Sequence, residues 1–220
     1  MTALVLALLL AAPAEGHAAK KAAPVPASKP DAGTPPAEEH HQATETPDPP
    51  VLKVGDDAPL FTLPLHNPDE AGLRSLDLSS LVGDGAGDDT AAKALLISFF
   101  ATWCKPCKKE MPFLQTLSTE YKDKGLRVVS IAIDKDEANW PTIKELATAN
   151  KVTYPILKDR YNLAARRYLG DKTQLPSVFI IARDGTVALV KQGYPNDAAE
   201  FLRAEVEKAL APSKATDAPK

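Results

Sequence analysis

Residues 94–101, ALLISFFA, are apolar except for Ser98. An unbroken apolar run of this length, bounded by polar text, reads as a strand buried on both faces. Directly after it, Met111, Leu114, Leu117 and Tyr121 recur at intervals of three and four. That spacing predicts an amphipathic helix over residues 105–124, kinked where Pro112 interrupts it. GLRVVSIAID at 125–134 repeats the buried-strand pattern, and DEANWPTIKELATAN at 136–150 reads as a second helix with Ile143, Leu146 and Ala147 on one face. TYPILKD at 153–159 is short and extended, and YNLAARRYLG at 161–170 is a helical segment stopped by Gly170. In SVFIIARDGTVALVKQGY, residues 177–194, two strand-like runs flank Asp184-Gly185, a strong hairpin signal. A last helix is predicted from Asp197 to about Leu210.

Upstream of the apolar run the pattern is weaker. Phe61, Leu63 and Leu65 alternate in APLFTLPLHNP, which predicts a short strand at a sheet edge because proline interrupts it. Leu73, Leu76, Leu78 and Leu81 suggest a short strand running into a helical turn. The Gly/Asp-rich stretch 82–93 has neither dinucleotide-binding nor calcium-loop spacing and reads as a surface insertion. The order βα, βα, β-hairpin, α predicts an α/β domain with a mixed β-sheet flanked by helices, occupying residues 51–211.

The ends differ in kind. ALVLALLLAA at 3–12 is followed by small residues, as in a secretory signal, and is too short for a comfortable spanning helix. Residues 1–18 are therefore expected to be a signal peptide, or alternatively an uncleaved N-terminal anchor, although no Lys or Arg precedes the run. No cysteine follows it, which excludes a lipid anchor attached through one. Residues 19–50, rich in Pro, Ala and charge, are expected to form a disordered linker, and residues 212–220 a disordered tail. His40 and His41 in the linker lack the neighbours of a metal site. A net charge of −3 gives no basic field, so nucleic acid is not an expected partner.

The chain has only two cysteines, Cys104 and Cys107, and both follow the buried strand at once. A strand ending at Cys104 and continuing as a helix places that sulfur at the helix N-terminus. Unpaired N–H groups and the helix dipole there favour the thiolate. Cys107 lies one turn on, close enough to close a disulfide ring. Lys105, Lys108 and Lys109 add positive charge, mostly in solvent. A structural disulfide would close too short a loop to constrain the unfolded chain much, and a zinc site would need ligands beyond His66. Dithiol exchange is the chemistry that remains: Cys104 attacks a partner disulfide, and Cys107 resolves the mixed disulfide.

Trp103-Cys104-Lys105-Pro106-Cys107 resembles the WCxPC motif of thioredoxin-like proteins, and ATWCKPCKKEMP is similar to the exported TlpA/ResA-type thiol:disulfide reductases, relatives of the AhpC/TSA proteins. VGDDAPLFTL resembles that family's opening segment and QLPSVFIIARDG its cis-proline segment. The resemblance implies a thioredoxin fold with an N-terminal β extension. It implies a cis Leu175-Pro176 peptide beside the sulfurs, with Trp103, Leu175 and Pro176 against bound substrate and Lys105 and Pro106 supporting the pair. It aligns Glu110 with an acid that serves the dithiol, raising thiol pKa values and carrying the proton of Cys107. A solvated helix residue paired with lysine is the alternative reading for Glu110. Ser98 stands where cytoplasmic thioredoxins carry a buried aspartate.

The function so implied is exported reduction of protein disulfides, for example during cytochrome c maturation or copper-site assembly, with electrons from a membrane thiol donor. The location is extracytoplasmic or periplasmic, with a possible inner-membrane tether, and no cofactor or metal is expected. Three alternatives stand beside it. A thiol peroxidase would need Thr and Pro where this chain has Ala101 and Ile97. A disulfide-donating oxidant would carry a helical insertion. A non-catalytic thioredoxin-fold module would hold Cu(I) or a client between the two thiolates.

Overall fold

β3 (Ala94–Phe100) is the spine of the molecule, buried at every position and paired on both sides. A computed structural model of the protein describes residues 52–87, 91–171 and 174–211. The expected signal or anchor (1–18), the linker (19–50) and the tail (212–220) lie outside the described residues. On one side β3 runs parallel to β4 (Leu126–Ala132), which runs parallel to β5 (Ile156–Lys158). On the other it is antiparallel to β6 (Ser177–Ala182), which forms a hairpin with β7 (Val187–Gln192). The sheet order is β5-β4-β3-β6-β7, a mixed sheet with helices on its faces. In the hairpin turn Gly185 takes φ 90°, a conformation open to glycine.

Side-chain alternation along β3 divides the two faces. Phe99 points to a cluster with Phe179 of β6 and Tyr168 of α4 (Leu163–Leu169), ring centroids 5.1 to 5.8 Å apart. Ser98 points the opposite way, toward α2 (Lys105–Tyr121). α5 (Ala198–Leu210) shares that face: Tyr121 of α2 donates to Glu207 at 2.5 Å, and Arg203 pairs with Glu120. α3 (Trp140–Ala149) connects β4 to β5.

Several sequence expectations shift by local geometry. The first long helix ends at Tyr121 and tightens into a 3₁₀ turn, Lys122–Lys124, closed by Gly125 at φ 101°. A Cβ on Gly125 would meet Lys93 Cγ at 2.8 Å. The second helix starts as a 3₁₀ turn, Glu137–Asn139, capped by Asp136, and becomes α-helical from Trp140 with Pro141 in its first turn. The strand predicted at a sheet edge, β1 (Thr62–Pro64), bridged to β5 just beyond its end through Leu65 and Leu157, pairs with β2 (Ser75–Asp77) in an antiparallel ribbon. Between them α1 (Pro68–Ala71), which the pattern does not predict, follows Asn67. Asn67 ties the ribbon to the β5 edge, because its side chain donates to Tyr154 O at 2.9 Å and accepts from Ile156 N at 2.8 Å. Its amide thereby takes the backbone bonds a neighbouring strand would otherwise make.

Candidate active site: the Cys104–Cys107 turn

The chain leaves β3 at Phe100 and turns under tight restraint. Thr102 donates its N–H to Asp134 Oδ2 at 3.0 Å and its hydroxyl to Oδ1 at 2.6 Å, and Ile133 N–H bonds Phe100 O at 3.0 Å. Asp134 is buried two residues after the end of β4, so the turn is fixed to the neighbouring strand on its parallel side. That restraint presents Trp103, 68% exposed, and then Cys104 as the N-cap of α2. Cys104 Sγ accepts the N–H of Cys107 at 3.2 Å. The same donor, at the positive end of the helix dipole, would stabilise a Cys104 thiolate.

The two sulfurs are joined as a disulfide, with Cα atoms 5.3 Å apart. Both cysteines are buried, Cys104 at 5% and Cys107 at 2%. Burial therefore distinguishes the two sulfurs little in the oxidised pair. Lys105, Lys108 and Lys109 are exposed, and Pro106, half-buried, occupies the first turn where its missing N–H costs no bond.

Glu110 departs from the solvated alternative: it is 1% exposed and lies one turn beyond Cys107 on the buried face of α2. Its Oε2 accepts the Ser98 hydroxyl at 2.7 Å, and its Oε1 is buried without a partner. Burial raises the carboxyl more than the Ser98 bond and the Lys191 charge lower it, so its pKa is pushed up to about 7. The phenols of Tyr154 and Tyr194 are held above their ordinary value, chiefly by burial and secondarily by the Glu110 charge. Of this surrounding, the sequence singled out Glu110 and the Ser98 substitution. It missed that the two touch, and it missed Asp134, Lys191, Tyr154 and Tyr194. An acid at the end of a buried strand was the available signal for Asp134.

The Leu175–Pro176 peptide is cis. β6 begins at Ser177, paired with Phe99, so Pro176 lies at the end of β3 from which the chain turns to Cys104. Pro176 O accepts Gly193 N–H at 2.8 Å, whereas the Leu175 N–H and C=O make no hydrogen bond among the described residues. Those residues contain no group of three or more His, Cys, Asp and Glu placed to hold a metal ion. His66 packs edge-on to Trp140, and burial, with Lys158 beside it, lowers its pKa to about 4.

Comparison with known proteins bears on this geometry. Residues 54–190 match the profile described as the AhpC/TSA family. Over 144 residues the chain is 31% identical to the thiol-disulfide oxidoreductase ResA of Oceanobacillus iheyensis, an overlap of 65% of this chain and 67% of that one. With ResA of Bacillus thuringiensis subsp. konkukian the identity is 34% over 99 residues, covering 45% of this chain and 54% of that one. Among solved structures, a thiol:disulfide interchange protein of the thioredoxin family from Chlorobium tepidum TLS superposes with a TM-score of 0.55 at 28% identity, covering 72% of this chain and 98% of the other.

Proposed function

The chain belongs to the AhpC/TSA family as a thioredoxin-fold thiol-disulfide oxidoreductase of the ResA type, and from that premise we propose that it reduces disulfides in protein clients outside the cytoplasm. The observation that carries the reading is the cysteine pair at the N-terminus of α2 with the buried Glu110 carboxyl one turn behind it. In the reduced protein the Cys104 thiolate attacks a client disulfide, and one client sulfur leaves with an electron pair and takes a proton. Glu110 then accepts the proton of Cys107, whose thiolate attacks Cys104 Sγ. The bond from Cys104 to the client breaks, the second client sulfur leaves reduced, and the Cys104–Cys107 disulfide closes. Two electrons pass from the pair to the client.

Substrate contact in this proposal falls to Trp103, Leu175 and Pro176. The exposed indole offers an apolar platform, and the backbone groups of Leu175, which make no hydrogen bond among the described residues, suit an extended client segment added as a short strand. Lys105 and Pro106 shape the first helical turn. The oxidised pair needs recharging, so a membrane thiol donor is part of the proposal, as is delivery by the N-terminal segment as signal or tether. No helix among the described residues is long and apolar enough to cross a membrane. Clients with paired cysteines, such as those of cytochrome c maturation or copper-site assembly, fit the chemistry.

The test is the equilibrium potential of Cys104–Cys107 in the full chain against a dithiothreitol series, combined with reduction of a disulfide-bonded peptide. A potential near the thioredoxin value of about −270 mV, with turnover of the peptide, supports a reductase. A value near about −120 mV, the range of a strong oxidant, would reverse the direction and defeat the proposal.

A further inference from the structure

β3 carries one polar residue, Ser98, among seven positions that are all buried. A hydroxyl in such a place must be satisfied, and this one donates to Glu110 Oε2 at 2.7 Å. Its register neighbour Ser130 on β4 turns instead to the Tyr154 phenol at 3.5 Å, and its neighbour on β6 is Val178, so Glu110 is its hydrogen-bond partner among the described residues. Glu110 in turn has one oxygen held by Ser98 and one, Oε1, buried and unpartnered. The two residues come from different elements, and the contact locks the helix side chain against the sheet.

We propose that Ser98 is a positioning residue for dithiol exchange: its hydroxyl pins one oxygen of Glu110 and leaves the other as the site where the proton of Cys107 is taken up and later returned. This rests on the reading of Glu110 as proton carrier. In the step concerned, the Cys107 S–H bond breaks and its proton goes to Oε1. The new thiolate attacks Cys104 Sγ, the Cys104–client S–S bond breaks, and the departing client sulfur takes the electron pair and is protonated from Glu110 or water.

The bond acts on proton affinity as well as on position. A donor to the carboxylate favours the charged form, so removing it leaves burial less opposed and holds the proton more tightly. The groups that touch or act on Glu110 are Ser98 on β3, Lys191 on β7, Tyr154 ahead of β5 and Tyr194 after β7, and Cys107 precedes it by one turn on its own helix. Lys191 is the one cation in this set, and its Nζ sits 4.8 Å above the Phe201 ring. The phenols are raised and stay neutral through the neutral range. Near neutrality the Ser98 hydroxyl is therefore the donor that opposes burial directly.

The experiment compares the full chain with Ser98→Ala, Ser98→Thr, Glu110→Gln and the double variant Ser98→Ala/Glu110→Gln. The rate at which each reduced protein reacts with 2-hydroxyethyl disulfide, a neutral probe, is followed from pH 5 to 9. The expected wild-type profile has a limb that Glu110→Gln removes. Ser98→Ala moves that limb upward by about one pH unit, Ser98→Thr restores its place, and Ser98→Ala changes nothing further in the Glu110→Gln background. A limb that Glu110→Gln abolishes but Ser98→Ala leaves in place would overturn the proposal while sparing the Glu110 reading. A profile untouched by Glu110→Gln would overturn both. A second readout needs no turnover: urea stability of the oxidised chain should change slope with pH at the Glu110 pKa, and that break should move upward in Ser98→Ala. A break that stays put counts against the proposal even if Ser98→Ala is generally less stable.

Discussion

Replacing Glu110 by glutamine should remove a pH-dependent loss of stability, so that the oxidised variant gains on the parent protein as pH rises from acid to alkaline. Glu110 is 1% exposed, and its carboxyl is raised from an ordinary value of 4.5 to about 7, first by burial. Below pH 4.5 both the folded and the unfolded chain hold the proton, and the group carries no penalty. Between 4.5 and 7 the unfolded chain ionises while the folded one does not, so stability falls as pH rises. Above 7 both states are ionised and the loss is complete. At 1.36 kcal/mol per pH unit the gap amounts to roughly 3 kcal/mol. Glutamine resembles the protonated acid in shape and does not ionise, so it removes the pH dependence. The assay is urea denaturation of both oxidised proteins at pH 4.5 and pH 8.5. With a urea slope of about 2 kcal/mol/M, the difference between their midpoints should widen by about 1.5 M across that range. The change with pH is the observable, because the glutamine N–H groups alter the absolute offset. A difference constant to about 0.5 kcal/mol across that range would refute the reasoning that burial holds this acid neutral.

Cys107→Ser should accumulate mixed disulfides through Cys104, and Cys104→Ser should accumulate none, as read on non-reducing gels after acid quenching; trapping by the second variant alone would exchange the assigned roles. Phe179→Ala empties the centre of the aromatic cluster with Phe99 and Tyr168, where Phe179 is 0% exposed, and should cost about 3 to 5 kcal/mol in urea unfolding. Asp159→Ala removes the carboxylate that accepts Leu163 N–H at 2.9 Å and Ala165 N–H at 2.7 Å, and should cost about 1 to 2 kcal/mol, with faster amide exchange confined to the start of α4.

The strands and helices that proved readable are those whose burial is settled by local periodicity. β3 announced itself because both faces are covered, α2 because its buried residues recur every three or four positions, and the β6–β7 turn because Asp184-Gly185 supplies its conformation. Alternation with an interrupting proline predicted β1 as an edge strand, which it is, but alternation names a strand and not its partner β2. The link from this ribbon to β5 is made far along the chain, by the Leu65–Leu157 bridge and by Asn67 reaching Tyr154 and Ile156. The site shows the same division. Two cysteines in one turn after a buried strand are a local signal. The burial of Glu110 is not, because a polar residue on a helix reads as solvent-facing until the opposing strand offers it a donor.

That donor explains an arrangement that would otherwise look unfavourable. A buried carboxyl costing roughly 3 kcal/mol above neutral pH would be readily replaced if it only filled space. Its neighbours neither neutralise it with an ion pair nor shield it completely: Ser98 gives one hydrogen bond, Lys191 acts on it without a direct bond, and Oε1 is left unpartnered. A fully satisfied carboxylate would stay charged and be a poor proton donor, while an unassisted one would stay protonated and be a poor acceptor. The partial satisfaction holds the group near neutrality, where taking and returning a proton cost similar amounts. The Cys104 sulfur meanwhile draws on the α2 N-terminus, 3.2 Å from the Cys107 N–H, for its own charge. In the proposed mechanism the attacking sulfur would thus draw on the helix terminus and the resolving one on the carboxyl.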